Sequence, residues 1–290
     1  FAGHPYGKPT LGRLRDVEKF TAKGTRAHWE LLVKDAQMLV VGSGDAEAAK
    51  IQAWASALGA RLGAGQILAP VSRPAESQAR RVLIVDKPDR TQTQIFIGQI
   101  GTQMLLPTYF PLHVGNHAFG GGSFSARMMV EIRVKRGWSY GAYSSFRFGI
   151  QPRSWHAWLM PAAKDTPAAL EFTLQMLEDL RVKGLSAEEF EFSKKSLIAG
   201  AGFTYNTPAK RVENTLLEKT LNLPDGFMKS FGIRIQPVTI EQTNQALAEF
   251  LHPDRMAVVL VGTAKDLKPL VAKATGVAEN LVEVVPYDQD

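Results

Sequence analysis

Three observations predict an α+β fold laid out as a duplicated domain. The first is a repeat: VTIEQTNQALAEFLHPDRMAVVLVGTAKDL (Val238–Leu267) follows the plan of FTAKGTRAHWELLVKDAQMLVVGSGDAE (Phe20–Glu47). Thr21 aligns with Thr239, Thr25 with Thr243 and Val33 with Leu251; after a two-residue insertion Val41 aligns with Val261 and Gly42 with Gly262. A helix–strand–turn–helix unit therefore recurs at a spacing of about 220 residues, the mark of duplication. The second observation is a change of period at Gly137, from helical spacing before it to strict alternation after it. The third is composition. At 290 residues, 45% hydrophobic and 21% charged, the chain suits a globular core, and no apolar run reaches the length of a membrane span.

The elements follow in order. Residues 1–14 are turn-rich. A helix begins near Thr21 or Thr25 and carries Trp29, Leu32 and Val33; a strand covers Gln37 to Gly42. The next helix runs from Asp45 through Ile51, Trp54 and Leu58 to about Leu62. Gly63–Gln78, with two prolines and few large apolar residues, reads as an interdomain linker. Strands are predicted at Arg81–Lys87 and Thr91–Ile100, and a helix near Thr108–Phe119 leads to Gly120, Gly121 and Gly122. A short helix then places Phe124, Met128 and Ile132 at i, i+4, i+8 and stops at Gly137 after a basic turn. Strand Trp138–Phe148 pairs with Arg153–Pro161 as a hairpin. Thr166 caps a helix with Pro167 at its first position, Ser186 and Glu189 form a capping-box pattern, two more helical stretches run to about Phe231, and another helix begins at Thr239.

These elements give three segments: 1–66 as the C-terminal remnant of a first domain, 67–78 as linker, and 79–290 as a complete second domain. The first copy is about 140 residues shorter ahead of Thr21 than the second is ahead of Thr239, which implies an N-terminally truncated first copy.

Alternation in Trp138–Phe148 puts Trp138, Tyr140, Ala142, Ser144, Phe146 and Phe148 on one face. Ser139, Gly141, Tyr143, Ser145 and Arg147 take the other. Tyr143 thus stands on the polar face, which makes it a site candidate. The glycines read as a permissive hinge between two helices; without a following Gly-Lys-Ser/Thr they are a weak nucleotide signal.

The run GGGSFSARMMVEIRVKRGWSYGAYSS resembles the signature in the C-terminal half of insulinase/pitrilysin-type zinc metallopeptidases, which include mitochondrial processing peptidase and two-subunit bacterial relatives. Arg127, Glu131, Ile132, Arg133, Lys135, Arg136, Gly137, Tyr140 and Ser144–Ser145 match it. Ala126, Met128 and Trp138 depart from its Ser, Leu and Leu. HPYGKPTLG, His4–Gly12, resembles the segment after the zinc site in the family's N-terminal half. The resemblance implies a duplicated, processing-peptidase-like α/β sandwich, and a clam-shell in which one half carries zinc and the other contacts the substrate. Its Arg-x6-Tyr pair falls on Arg136 and Tyr143, with Gly121 and Gly122 beside them as substrate-binding positions. A guanidinium and a phenol aimed at a peptide carbonyl would hold it and stabilise a tetrahedral oxyanion.

Other chemistries are thinly supported. His113 and His117 in HVGNH have the i, i+4 spacing of a zincin pair, yet Asn116 sits where the inverse motif needs glutamate, and an amide cannot take a proton from metal-bound water. No third ligand is identifiable, so no metal is assigned to this chain. Zinc is expected on the missing N-terminal half or on a partner chain. Ser123 and Ser125 lack the G-x-S-x-G elbow of serine hydrolases. The net charge of +6 is spread out, with no basic block interleaved with aromatics, so nucleic-acid binding is not expected. Zero cysteines exclude disulfides and permit an oxidising compartment.

The expectation is a peptide-binding, non-zinc half of a zinc-dependent endopeptidase. By itself it would be inactive; its partners would be an extended peptide and a zinc-bearing half. The two-subunit bacterial relatives suggest a periplasmic or otherwise exported location, with the cytoplasm as the alternative. The competing expectation is an inert structural subunit of a larger assembly, since a retained fold need not retain chemistry.

Overall fold

The computed structural model describes residues 1, 3–35, 38–62 and 71–288. The chain divides into two compact units: Phe1–Ser72 with Ala201–Ser230, and Arg73–Gly200 with Phe231–Gln289.

The second unit is one mixed, six-stranded sheet with a layer of helices on one face. Its strands are β1 (Arg81–Asp86), β2 (Gln94–Ile100), β3 (Ser139–Phe146), β4 (Ser154–Pro161), β5 (Ala257–Gly262) and β6 (Glu283–Pro286), in the order β3-β4-β2-β5-β1-β6. β1 runs parallel to β5 and β6, and the other pairings are antiparallel. One face of each of β1, β2, β4 and β5 is apolar. Val82 and Ile84, Ile95 and Ile97, Ala157 and Leu159, Val258 and Leu260 are all buried, the alternation expected of a sheet covered on one side.

The helix layer supplies matching stripes. Its long members are α3 (Tyr109–Asn116), α4 (Thr166–Lys183), α5 (Ala187–Gly200), α8 (Ile240–Phe250) and α9 (Ala264–Thr275). Leu112 and Val114, Leu170 and Leu177, Leu247, Leu267 and Val271 are buried among them. Gly115 permits α3 to lie against α8: a Cβ there would sit 2.9 Å from both Leu247 δ-carbons. The capping box predicted at Ser186 and Glu189 forms, the two exchanging bonds at the start of α5; the structure adds a second, between Thr239 and Gln242, at α8. Glu189 also receives both Nε and Nη2 of Arg127 at 2.6 Å, anchoring the segment that follows the glycine loop to the α5 cap. A shared carboxylate of this kind fixes orientation more than it adds stability.

The first unit holds α1 (Ala22–Asp35), α2 (Ala48–Gly59) and α6 (Pro208–Thr220), while α7 (Phe231–Ile235) completes the helices of the second unit. No described side chain of α1 or α2 is buried; Trp29 is 61% exposed and Trp54 81%. The strand expected at Gln37–Gly42 does not form over Met38–Gly42, which runs without a sheet partner, and Gln37 lies outside the described residues. Its physical reason is plain: a lone strand leaves its backbone donors and acceptors unpaired unless neighbours are supplied. Much of the expected linker, residues 63–70, likewise lies outside the described residues.

Candidate functional site

The glycine loop is shaped by close approach. A Cβ on Gly120 would fall 2.4 Å from the Ser144 amide nitrogen and 2.5 Å from its Oγ. One on Gly121 would meet Asn116 Nδ2 at 2.9 Å, and one on Gly122 would meet the His117 ring at 2.9 Å. None of the three has a positive φ; the left-handed residue is Ser123, at φ 58°. Gly120 is therefore the spacer that lets a π-helical turn, His117–Gly121, settle on β3, while Gly121 and Gly122 leave room for Asn116 and His117; close approach, and not the permissive hinge expected, accounts for them. Gly121 is exposed and Gly122 half-buried. Beneath them Asn116 Oδ1 accepts from Ser144 Oγ at 2.8 Å and from Trp155 Nε1 at 2.7 Å. That buried amide ties α3 to β3 and β4.

Arg136 and Tyr143, the predicted pair, have separate surroundings. Arg136 Nη1 donates to the Glu131 carbonyl at 2.9 Å and to Glu131 Oε2 at 2.7 Å. Its guanidinium lies 3.7 Å from the Phe172 ring centroid and 5.5 Å from that of Trp138. Glu131 also accepts from Lys135 Nζ at 2.6 Å; the Lys135 hydrogen bond above all, and Arg136 with it, holds this carboxyl below its usual range. Tyr143 points outward from β3, in register with Trp158, and its ring stacks on that indole at 6.1 Å and 8°.

The strand between them carries a bulge. Ser139 pairs with Pro161 but Ala142 with Leu159, so three steps on β3 match two on β4. One extra residue is accommodated and the alternation changes phase. Ser139 is buried with Ala142, and Tyr140, expected on the core face, is 82% exposed. The Arg133 guanidinium lies 4.3 Å from the Tyr140 ring centroid and 4.9 Å from that of Phe124, itself 63% exposed beside left-handed Ser123. Arg136 is paired with Glu131; Arg133 enters no ion pair among the described residues. The Arg-x6-Tyr spacing thus occurs twice, at Arg133/Tyr140 and at Arg136/Tyr143. The structure brings the first two side chains into contact. Sequence reasoning passed over that pair, although counting both occurrences of the spacing would have found it.

His113 and His117 sit on α3 and the turn after it. Both Nδ1 atoms are buried without a hydrogen-bond partner, and the His113 ring packs edge-on against Phe231 at 5.0 Å. Burial, and secondarily His117, pushes His113 down to about 4; burial also lowers His117. Among the described residues no group of three or more His, Asp or Glu could hold a metal. With an amide at Asn116 in place of a carboxylate, this donor set does not fit catalytic zinc.

The profile described as the Peptidase M16 inactive domain matches residues 19–197. The chain belongs to the M16 peptidase family, in its inactive-domain class. The M16 chain is 24% identical over 280 residues to an uncharacterized zinc protease of Mycobacterium leprae, covering 93% of this chain and 61% of that protein. A non-peptidase homolog, YmxG, of Helicobacter pylori is 21% identical over 145 residues, 50% of this chain and 34% of that one. Among solved structures, the peptidase M16 inactive domain from Pseudomonas fluorescens superposes with a TM-score of 0.78 at 26% identity, covering 90% of this chain and 62% of that one. The chain thus spans less than two thirds of the relatives it matches. No helix among the described residues is long and apolar enough to cross a membrane.

Proposed function

We propose that this M16 inactive domain is the peptide-positioning half of a zinc endopeptidase. It holds an extended substrate by its scissile carbonyl while a zinc-bearing half, on another segment or chain, carries out hydrolysis. The observation that supports this most is the unpaired Arg133 guanidinium against the exposed Tyr140 ring, next to the glycine loop. A guanidinium whose N–H groups are unclaimed among the described residues and a phenol beside it are donors in place before substrate arrives. Arg136/Tyr143 is the alternative pair, and its guanidinium must first leave Glu131.

The test compares two double variants in the assembled zinc complex. Arg133→Ala with Tyr140→Phe should lower kcat/KM on the order of a hundredfold or more, the scale of losing oxyanion donors. Arg136→Ala with Tyr143→Phe should do less. A larger loss in the second variant transfers the role to that pair. Unchanged turnover in both leaves the second reading, an inert structural subunit, which the similarity to a non-peptidase homolog favours.

We further propose that residues 1–66 are the tail of a first copy of the domain, 67–78 a linker and 79–290 the second copy. In the second copy α8, β5 and α9 are packed, with β5 in mid-sheet. The matching stretch α1, Met38–Gly42 and α2 shares apolar positions such as Val33 with Leu251 and Val41 with Val261, and Met38–Gly42 has no sheet partner among the described residues.

A further inference from the structure

We infer that Ser139 is a positioning residue that aims Tyr140, by holding the bulge in β3. The inference takes its functional meaning from the peptide-positioning reading above. Ser139 is 5% exposed. Its hydroxyl donates to the Gly141 carbonyl at 2.6 Å and accepts from the Met160 amide at 2.9 Å. Those two backbone groups lie on opposite strands within the irregular stretch, where regular ladder bonds are lost. A single side chain thus satisfies both. Two other fittings complete the bulge. The amide of Ala142 donates to Met129 Sδ at 3.3 Å, and Gly141 leaves room for the Tyr143 ring, whose Cε2 would lie 2.5 Å from a Cβ there.

The consequence concerns which way Tyr140 points. In a regular ladder Tyr140 shares the face of Ala142, which is the core face, and Ser139 is outward. With the extra residue, Ser139 and Ala142 both face the core and Tyr140 is turned out against Arg133. Removing the hydroxyl orphans Met160 N–H and Gly141 C=O, and slippage to regular pairing becomes the way to satisfy them.

Nitration by tetranitromethane, read residue by residue by mass spectrometry, tests this. Tyr287, 54% exposed, is the internal reference and Tyr109, 1% exposed, the buried control. In the unaltered protein Tyr140 should react at least as fast as Tyr287. In Ser139→Ala the Tyr140 to Tyr287 ratio should fall about tenfold, roughly the equilibrium effect of one buried hydrogen bond, and Ser139→Thr should restore it. An unchanged ratio in folded Ser139→Ala overturns the inference. Should that variant not fold, amide exchange in the unaltered protein decides: a Met160 amide exchanging at an open rate overturns it, and a protected one upholds it. In the zinc complex Ser139→Ala should lower kcat, and should lower it no further in a Tyr140→Phe background. Reduced nitration with unchanged turnover upholds the positioning role and removes the peptide reading instead.

Discussion

Gly120 and Gly137 are glycines for opposite reasons. At Gly120 the backbone is ordinary and the space is filled; at Gly137 φ is +66° and nothing lies within 4 Å of a Cβ. Gly120→Ala should therefore cost about 3 kcal/mol by forcing β3 away. Gly137→Ala should cost about 1 kcal/mol from the left-handed backbone alone. Thermal melting of the two variants should show that order. His113 offers a pH test. Its ring is held neutral down to about 4, so between there and the ordinary histidine value near 6.5 the unfolded chain binds the extra proton. Stability is then complete above about pH 6.5 and falls as pH drops toward 4, by at most about 3 kcal/mol. Urea denaturation at pH 4.5 and 7.5 should show the loss, and His113→Leu should reduce it. The role of Gly120 and the neutral histidine depend on packing partners far away in sequence, and GGG or HVGNH in isolation displays neither, whereas Gly137, a local helix stop, was legible.

Among the elements, the Asn116 node ties the helix layer to the sheet. Asn116→Ala orphans Trp155 Nε1 and Ser144 Oγ in a buried place, and should destabilise by about 2–3 kcal/mol, with a matching shift in the urea midpoint. The capped helix α5 and the β3–β4 hairpin were legible because their signals are local: a Ser with Glu three positions on, or a period of two. The bulge was not. Ser139, Gly141 and Ala142 are all small, so hydrophobic pattern cannot settle the phase of Ser-Tyr-Gly-Ala. Met129 and Met160, across the packing, settle it instead. The π-helical turns at His117–Gly121 and Met129–Val134 escaped for a similar reason, since one inserted residue in a helix leaves the apolar spacing nearly intact.

At the scale of the molecule, the two stretches matched in the sequence have different surroundings: Val238–Leu267 is packed, whereas no described side chain of α1 or α2 is buried. If α1 and α2 belong to a domain completed by other residues, they should exchange amide hydrogens quickly in this chain alone. β2 and β5 should exchange slowly, near the global limit. Hydrogen–deuterium exchange read by mass spectrometry separates the cases, and equal protection in both would count against the truncated-copy proposal.

The strand order has a further effect, on how the chain is made. β1 is paired only with β5 and β6, so Arg81 waits for Ala257 and Leu83 for Glu283. On the ribosome the run Val-Leu-Ile-Val is translated well ahead of Ala257–Gly262 and stays without these neighbours until they have emerged. Such a ribbon is sticky in the interval. A chain ending before Ala257 should therefore collect in the pellet after lysis, whereas one ending after Pro286 should stay in the supernatant.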